Sequence, residues 1–76
     1  MRIFLGGHLS YFHSDKSSWL ETDLQEPVRL IDILNQAGIP TGEIYLVVLN
    51  GTLVDLDETI VSDGDELKLF SPIGGG

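Results

Sequence analysis

Three consecutive glycines, Gly74, Gly75 and Gly76, close the sequence directly after a strand-like segment and Pro72. Such an end has no side chain to react, so the carboxylate of Gly76 is the group that could do chemistry. Without β-carbons the backbone can adopt the angles needed to pass through a narrow channel into another protein's active site. We interpret Gly76 as the reacting residue and Gly74 and Gly75 as the threading segment. The alternative is a flexible end without a role.

The composition narrows the kinds of chemistry and partner. The 76 residues suffice for one domain and include no cysteine, so a thiolate nucleophile, a thiolate metal site and a disulfide are excluded. Twelve acids against four bases give a net charge of -8. That balance argues against binding to nucleic acid or to an anionic membrane. It suits a partner with a basic docking surface, although acids also simply keep small proteins soluble.

Other candidate sites are weak. His8 and His13 lack a third ligand at a usual zinc spacing, and Asp55, Asp57 and Glu58 lack the twelve-residue calcium pattern. No serine, histidine and aspartate are aligned as a triad, so we expect neither a metal nor an enzyme. No apolar run approaches the roughly 20 residues of a membrane span, and the first residues are too short for a signal peptide. We expect a cytoplasmic protein.

Alternation of apolar and polar residues predicts the strands. They cover residues 1–5, 19–24, 44–49, 52–54 and 66–70. The segment 44–49 is apolar throughout, which is typical of a central, buried strand. Asn50-Gly51 predicts a hairpin turn, and Asp63-Gly64-Asp65 predicts a tight turn. Residues 8–12 read as a short helical turn, and Leu56 and Ile60 as inward anchors of a loop.

One helix is predicted after Glu26, with Pro27 at its first position. Val28, Ile31 and Leu34 form its apolar stripe, beside Leu30 and Ala37. Gly38 is a plausible left-handed stop. A helix of about ten residues is too short to be stable alone, so it must pack on a sheet.

The element order is strand, strand, helix, strand, short strand, strand. One helix must therefore cover one face of a mixed sheet of four to five strands, in which the last strand pairs with the first. This is a β-grasp architecture of the α+β class. We assign residues 1–70 to the domain and residues 71–76 to a flexible tail.

Several segments in this order resemble ubiquitin-like sulfur carriers of the MoaD/ThiS family. The resemblance covers essentially the whole chain and lies in the helix residues 28–34, the strand end 47–51, the turn 61–67 and the terminal segment 70–76. Phe70 and Pro72 before the glycines are similar to the MoaD branch.

The resemblance implies a carrier and co-substrate rather than an enzyme. A ubiquitin-activating-type enzyme (MoeB/ThiF-like) would use ATP to adenylate the Gly76 carboxylate, and a sulfur donor would then displace AMP to leave a thiocarboxylate. The sulfur would pass to an acceptor, for the MoaD branch the large molybdopterin synthase subunit (MoaE-like). This chain would bind no cofactor itself, since ATP belongs to the activating partner.

The resemblance also implies a docking patch. Phe70 and Leu53 match its apolar positions, and Pro72 and Ile73 lead from it to the glycines. Packing in the core is the alternative for Leu53 and Phe70. For the whole chain, the same activation could instead serve thiazole formation, tRNA thiolation, cysteine synthesis or conjugation to lysines. A β-grasp interaction domain with an inert tail is the third possibility.

Overall fold

The structure, a computed structural model, describes residues 1–12 and 18–72. In chain order the elements are β1 (Arg2–Leu5), β2 (Trp19–Glu21), β3 (Val28–Arg29), α1 (Leu30–Ala37), β4 (Leu46–Leu49), β5 (Thr52–Val54), β6 (Ile60–Val61) and β7 (Glu66–Phe70). Short 3₁₀ turns cover Leu9–Phe12, Thr41–Glu43 and Leu56–Glu58. Among the described residues no helix is long and apolar enough to cross a membrane.

Five strands form a mixed sheet in the order β2-β1-β7-β4-β5. The last strand, β7, lies at its centre, parallel to β1 and antiparallel to β4. The hairpin β4–β5 turns at Asn50 and Gly51, whose φ angles of 50° and 86° are left-handed. With α1 packed across one face, the predicted β-grasp fold is confirmed.

The core lies between this sheet and α1. Alternate residues of β1, β4 and β7 point toward the helix, as period-two alternation requires. The largest fully buried side chains are Ile3, Leu5, Leu9, Leu30, Leu34, Val61, Leu67 and Leu69. In the first and last strands the buried residues alternate with outward ones, as the predicted strands require.

The helix begins at Leu30, so the prediction that Pro27 occupies its first position is wrong. Val28 pairs instead with Val61 in a second, two-stranded sheet of β3 and β6. The N–H of Leu30 donates to the carbonyl of Thr59 at 3.0 Å. This ladder holds the residues before Leu30 extended. The predicted end is confirmed, because Gly38 adopts φ 76° and closes the helix.

The predictions for strand β4 and for Ile60 are wrong because of how the strands pair. Strand β4 is not central, since it lies between β7 and the edge strand β5. Its Leu46 is exposed, so the strand is apolar on both faces without being buried on both. Ile60 is 52% exposed rather than an inward anchor, because its pairing with Arg29 turns Val61 inward in its place.

Candidate functional site

The sheet face opposite α1, here called the outer face, carries an unusual set of side chains. Its residues are Arg2 and Phe4 of β1, Trp19 and Glu21 of β2, Leu46 and Val48 of β4, Leu53 of β5, and Glu66, Lys68 and Phe70 of β7. One residue from each strand forms the middle row, which runs Trp19, Phe4, Lys68, Val48, Leu53. Most of this row is apolar although none of the described helices covers it.

Three aromatic rings meet on the outer face. The ring centroids of Phe4 and Trp19 lie 5.2 Å apart, and those of Phe4 and Phe70 lie 6.0 Å apart, both tilted. Such geometry is favourable for aromatic pairs. The cluster is half-buried and ends on β7, close to where the chain leaves the sheet.

An ionic row borders the aromatic cluster. The guanidinium of Arg2 lies 3.8 Å from Glu21 and 3.6 Å from Glu66 on the neighbouring strands. Its central carbon also lies 4.2 Å from the centroid of the Trp19 ring, a cation–π contact. Both outer-face carboxylates are therefore engaged at one end of the face, away from Phe70.

The chain leaves the sheet through an anchored residue. Ser71 is buried, and its Oγ accepts a hydrogen bond from the backbone N–H of His8 at 3.2 Å. Beside it an open cavity of about 340 Å³ is lined by His8, Tyr11, Phe12 and Glu43. The direction in which the chain departs is therefore fixed up to Ser71.

Comparison with known proteins agrees with this geometry. The model of the ThiS family matches residues 13–76. The chain belongs to the ThiS family. Members are small ubiquitin-like sulfur carriers, generally non-catalytic, that work with adenylating enzymes and sulfur acceptors. A search of the curated proteins gives no match.

In this ThiS-family chain the two predicted patch residues share the outer face without being neighbours. Phe70 is half-buried against Phe4, whereas Leu53 is 65% exposed on the edge strand. Leu46 and Val48 of β4 lie between them, opposite Phe70 and Leu53 respectively. Neither predicted patch residue belongs to the core cluster.

The predicted tail residues are described only in part. Pro72 is exposed. Ile73, Gly74, Gly75 and Gly76 lie outside the described residues, so their roles and the boundary of the tail stay predictions. Since Ser71 is buried, the first residue assigned to the tail is held by the folded body.

Sequence reasoning did not identify Phe4, Trp19, Leu46 and Lys68 as parts of this face. Alternation already turned Phe4 away from the core. What was absent was the strand register, which brings Phe4 beside Trp19 and Lys68. The pairing of β1 with β7 was predicted, but its parallel direction and register come from the structure.

The described residues of the outer face have the features of a binding surface. Residues 1–12 and 18–72 contain no group of three histidine, aspartate or glutamate side chains placed to hold a metal. The outer face is broad and apolar, which is the property of a protein-docking surface. What this part of the chain can do is hold a partner against the sheet beside the departing tail.

Proposed function

We propose that this chain carries sulfur for molybdopterin synthesis as a thiocarboxylate on Gly76. A carboxylate oxygen of Gly76 attacks the α-phosphorus of ATP, and pyrophosphate leaves. Hydrosulfide, or a donor equivalent to it, then attacks the carbonyl carbon of the acyl-adenylate, and AMP leaves. The carrier delivers this sulfur to a pterin precursor and regains its carboxylate.

One observation carries the proposal beyond family membership. Strand β7 places Phe70 in the apolar outer face and continues directly into Ser71 and Pro72. A partner that binds the outer face would therefore receive the chain that follows β7 in a fixed direction. This is the arrangement that a carrier needs if an enzyme must act on its carboxyl end.

The partners follow from the chemistry. A MoeB/ThiF-like adenylating enzyme would bind the outer face through Phe70 and Leu53, with Pro72 and Ile73 at the entrance to its active site and Gly74 and Gly75 inside. ATP would be bound by that enzyme. A MoaE-like large synthase subunit would take the same tail at the transfer step, in the cytoplasm.

We choose molybdopterin synthesis over the other sulfur-accepting pathways because Phe70 and Pro72 precede the glycines in positions similar to those of the MoaD branch. Sulfur transfer can be assayed with thiocarboxylated carrier, pterin precursor and a large synthase subunit. Dithiolene formation supports this outlet. A carrier that loses its sulfur only to a thiazole-forming or tRNA-thiolating enzyme contradicts it.

The activation step is tested separately with purified chain, adenylating enzyme, ATP and sulfide. We expect AMP release that depends on the carrier and disappears when Gly76 is deleted. A matched variant, Gly42→Ala, alters a glycine on a surface turn with open space around it and should release AMP at the wild-type rate. Equal AMP release with and without Gly76 would contradict the proposal.

A further inference from the structure

Lys68 differs from the other cations of the described residues. The N-terminal amine lies 3.7 Å from Asp63, Arg2 contacts two glutamates, and Arg29 lies 3.1 Å from Asp32. The exposed ammonium of Lys68 has neither an ion pair nor a hydrogen bond within residues 1–12 and 18–72. In a chain with three times as many acids as bases, an unpaired lysine needs an explanation.

The position of Lys68 explains why no acid of residues 1–12 and 18–72 reaches it. Lys68 lies on the central strand, β7, in the middle row between Phe4 and Val48. The nearest acid along its own strand, Glu66, is engaged by Arg2. Glu21 of β2 is likewise paired with Arg2, and the remaining described acids lie in helices, loops and turns.

The outer face is consequently neutral, unlike the molecule as a whole. On it Arg2 and Lys68 balance Glu21 and Glu66, whereas the chain carries a net charge of -8. In the ionic row one guanidinium faces two carboxylates, and Lys68 supplies the balancing charge from the middle row. A partner therefore meets, at the centre of the face, a positive charge that makes no ion pair with the described residues.

We propose that Lys68 is a specificity residue of the outer face, which binds a carboxylate of the adenylating enzyme within an apolar surround. This rests on the proposed function, because it assumes that the enzyme docks on the outer face. It adds the chemistry of the contact: an aspartate or glutamate of the partner opposite Lys68, with apolar side chains against Phe70 and Leu53.

The physical reason is desolvation. Covering the middle row with an apolar partner would remove water from the Lys68 ammonium, and an unpaired charge in that state costs several kcal/mol. A partner carboxylate offsets this cost and fixes the register of docking. A surface that lacks an acid there would be rejected, so one residue distinguishes correct from incorrect partners.

Steady-state kinetics of AMP release provide the test. Lys68→Met keeps an unbranched side chain and removes the charge, Lys68→Glu reverses it, and Lys68→Arg retains it. Arg29→Met is the matched control, since it changes the net charge by the same amount on an exposed residue off this face. Thermal unfolding of each variant verifies the fold, which should be unchanged because Lys68 makes no ion pair or hydrogen bond with the described residues.

We expect the KM for the carrier to rise about tenfold with Lys68→Met, a loss of about 1.4 kcal/mol, and further with Lys68→Glu. Lys68→Arg and Arg29→Met should stay within about twofold of wild type. A Lys68→Met carrier with wild-type or lower KM would overturn the inference and leave the proposed function standing. Absence of AMP release with the wild-type carrier would instead overturn the proposed function.

Zero-length cross-linking gives a direct readout of the carboxylate. A carbodiimide activates a carboxylate, and a lysine amine in contact with it displaces the urea to form an amide. Lys16 and Lys68 are the lysines of the chain, so Lys16 is an internal control. We expect the carrier–enzyme cross-link on the Lys68 peptide. A cross-link confined to Lys16 or the N-terminal amine, or none, would overturn the inference.

Discussion

Gly6 and Phe70 fit each other closely at the point where β1 ends. A β-carbon on Gly6 would lie 2.8 Å from Cδ1 of Phe70 and 3.0 Å from the backbone oxygen of Leu69. The N–H of Gly6 already donates to that same oxygen at 2.8 Å. Glycine is needed here for space rather than for its backbone angles.

Gly6→Ala should therefore destabilise the fold by about 1–3 kcal/mol, because the ring and the backbone must both move. The measurement is urea unfolding of wild type and variant. Gly42→Ala is the control, since nothing lies within 4 Å of its added β-carbon, and it should be neutral or slightly stabilising. Equal midpoints for Gly6→Ala and wild type would contradict this account.

Phe70→Ala separates docking from folding at the same residue. Phe70 is half-buried and outside the core, so we expect a loss of about 1–2 kcal/mol in stability with the fold retained. The KM for the carrier in AMP release should rise roughly tenfold or more, as expected of an aromatic anchor.

Ile60→Ala is the matched control for Phe70→Ala. Ile60 is also a partly exposed apolar residue, but it belongs to the second sheet of β3 and β6. In AMP release we expect the KM for the Ile60→Ala carrier to equal that for the wild-type carrier. If both variants weaken activation equally, the outer face is not the docking surface; if Phe70→Ala unfolds the protein, Phe70 is a core residue.

At the scale of elements, a polar clasp joins the β4–β5 hairpin to the turn before β7. The amide of Asn50 donates to Asp65 at 3.0 Å, and its oxygen accepts from the N–H of Glu66 at 2.9 Å. Asp65 also accepts from the N–H of Ser62 at 2.7 Å. These hydrogen bonds, that of Asn50 first, hold the pKa of Asp65 below its ordinary value.

Because the pKa of Asp65 is lower in the folded state, the clasp stabilises the fold fully above the ordinary aspartate pKa of about 3.9. That stabilisation is lost as the pH falls through the lower, folded-state pKa. Asp65→Asn should therefore be less stable than wild type at neutral pH, and the difference should shrink in acid. Urea unfolding across the acid range measures it. Asp57→Asn, which changes an exposed acid outside these hydrogen bonds, is the control for removing one negative charge. A pH-independent difference between Asp65→Asn and wild type would contradict this explanation.

The sequence was sufficient for elements whose pattern is local. The alternation of β7, the Asn50-Gly51 turn and the Gly38 stop each depend on neighbouring residues, and each was predicted correctly. The helix start failed because Val28 takes part in a ladder with Val61, which lies far along the chain. Propensity alone cannot anticipate such a tertiary contact.

In the candidate site, too, local features were predictable from the sequence and long-range contacts were not. The assignment of Phe70 to a docking patch followed from the family resemblance, but the three-ring cluster required the register of β1 against both β2 and β7. The apolar run at residues 44–49 was interpreted as doubly buried, since an apolar docking face and a buried face look alike in sequence. The apolar run therefore predicted strand β4 but did not show that one of its faces is part of the outer face.

At the scale of the whole molecule, the net charge of -8 on 76 residues predicts self-repulsion in the folded state. Screening by sodium chloride should raise the free energy of unfolding from low to physiological ionic strength. Thermal unfolding in a salt series measures this, with uncharged sucrose solutions as the control for excluded-solute effects. A midpoint that falls with added sodium chloride would contradict it.

The central claim is that sulfur is carried on Gly76, and intact mass spectrometry tests it most directly. The protein is incubated with ATP, sulfide and an adenylating enzyme, and its C-terminal peptide is then mapped. We expect a mass gain equal to one oxygen replaced by sulfur, confined to the peptide that contains Gly76. An unchanged mass despite AMP release would contradict sulfur transfer, and a gain equal to a whole protein linked through Gly76 to a lysine would identify a modifier instead.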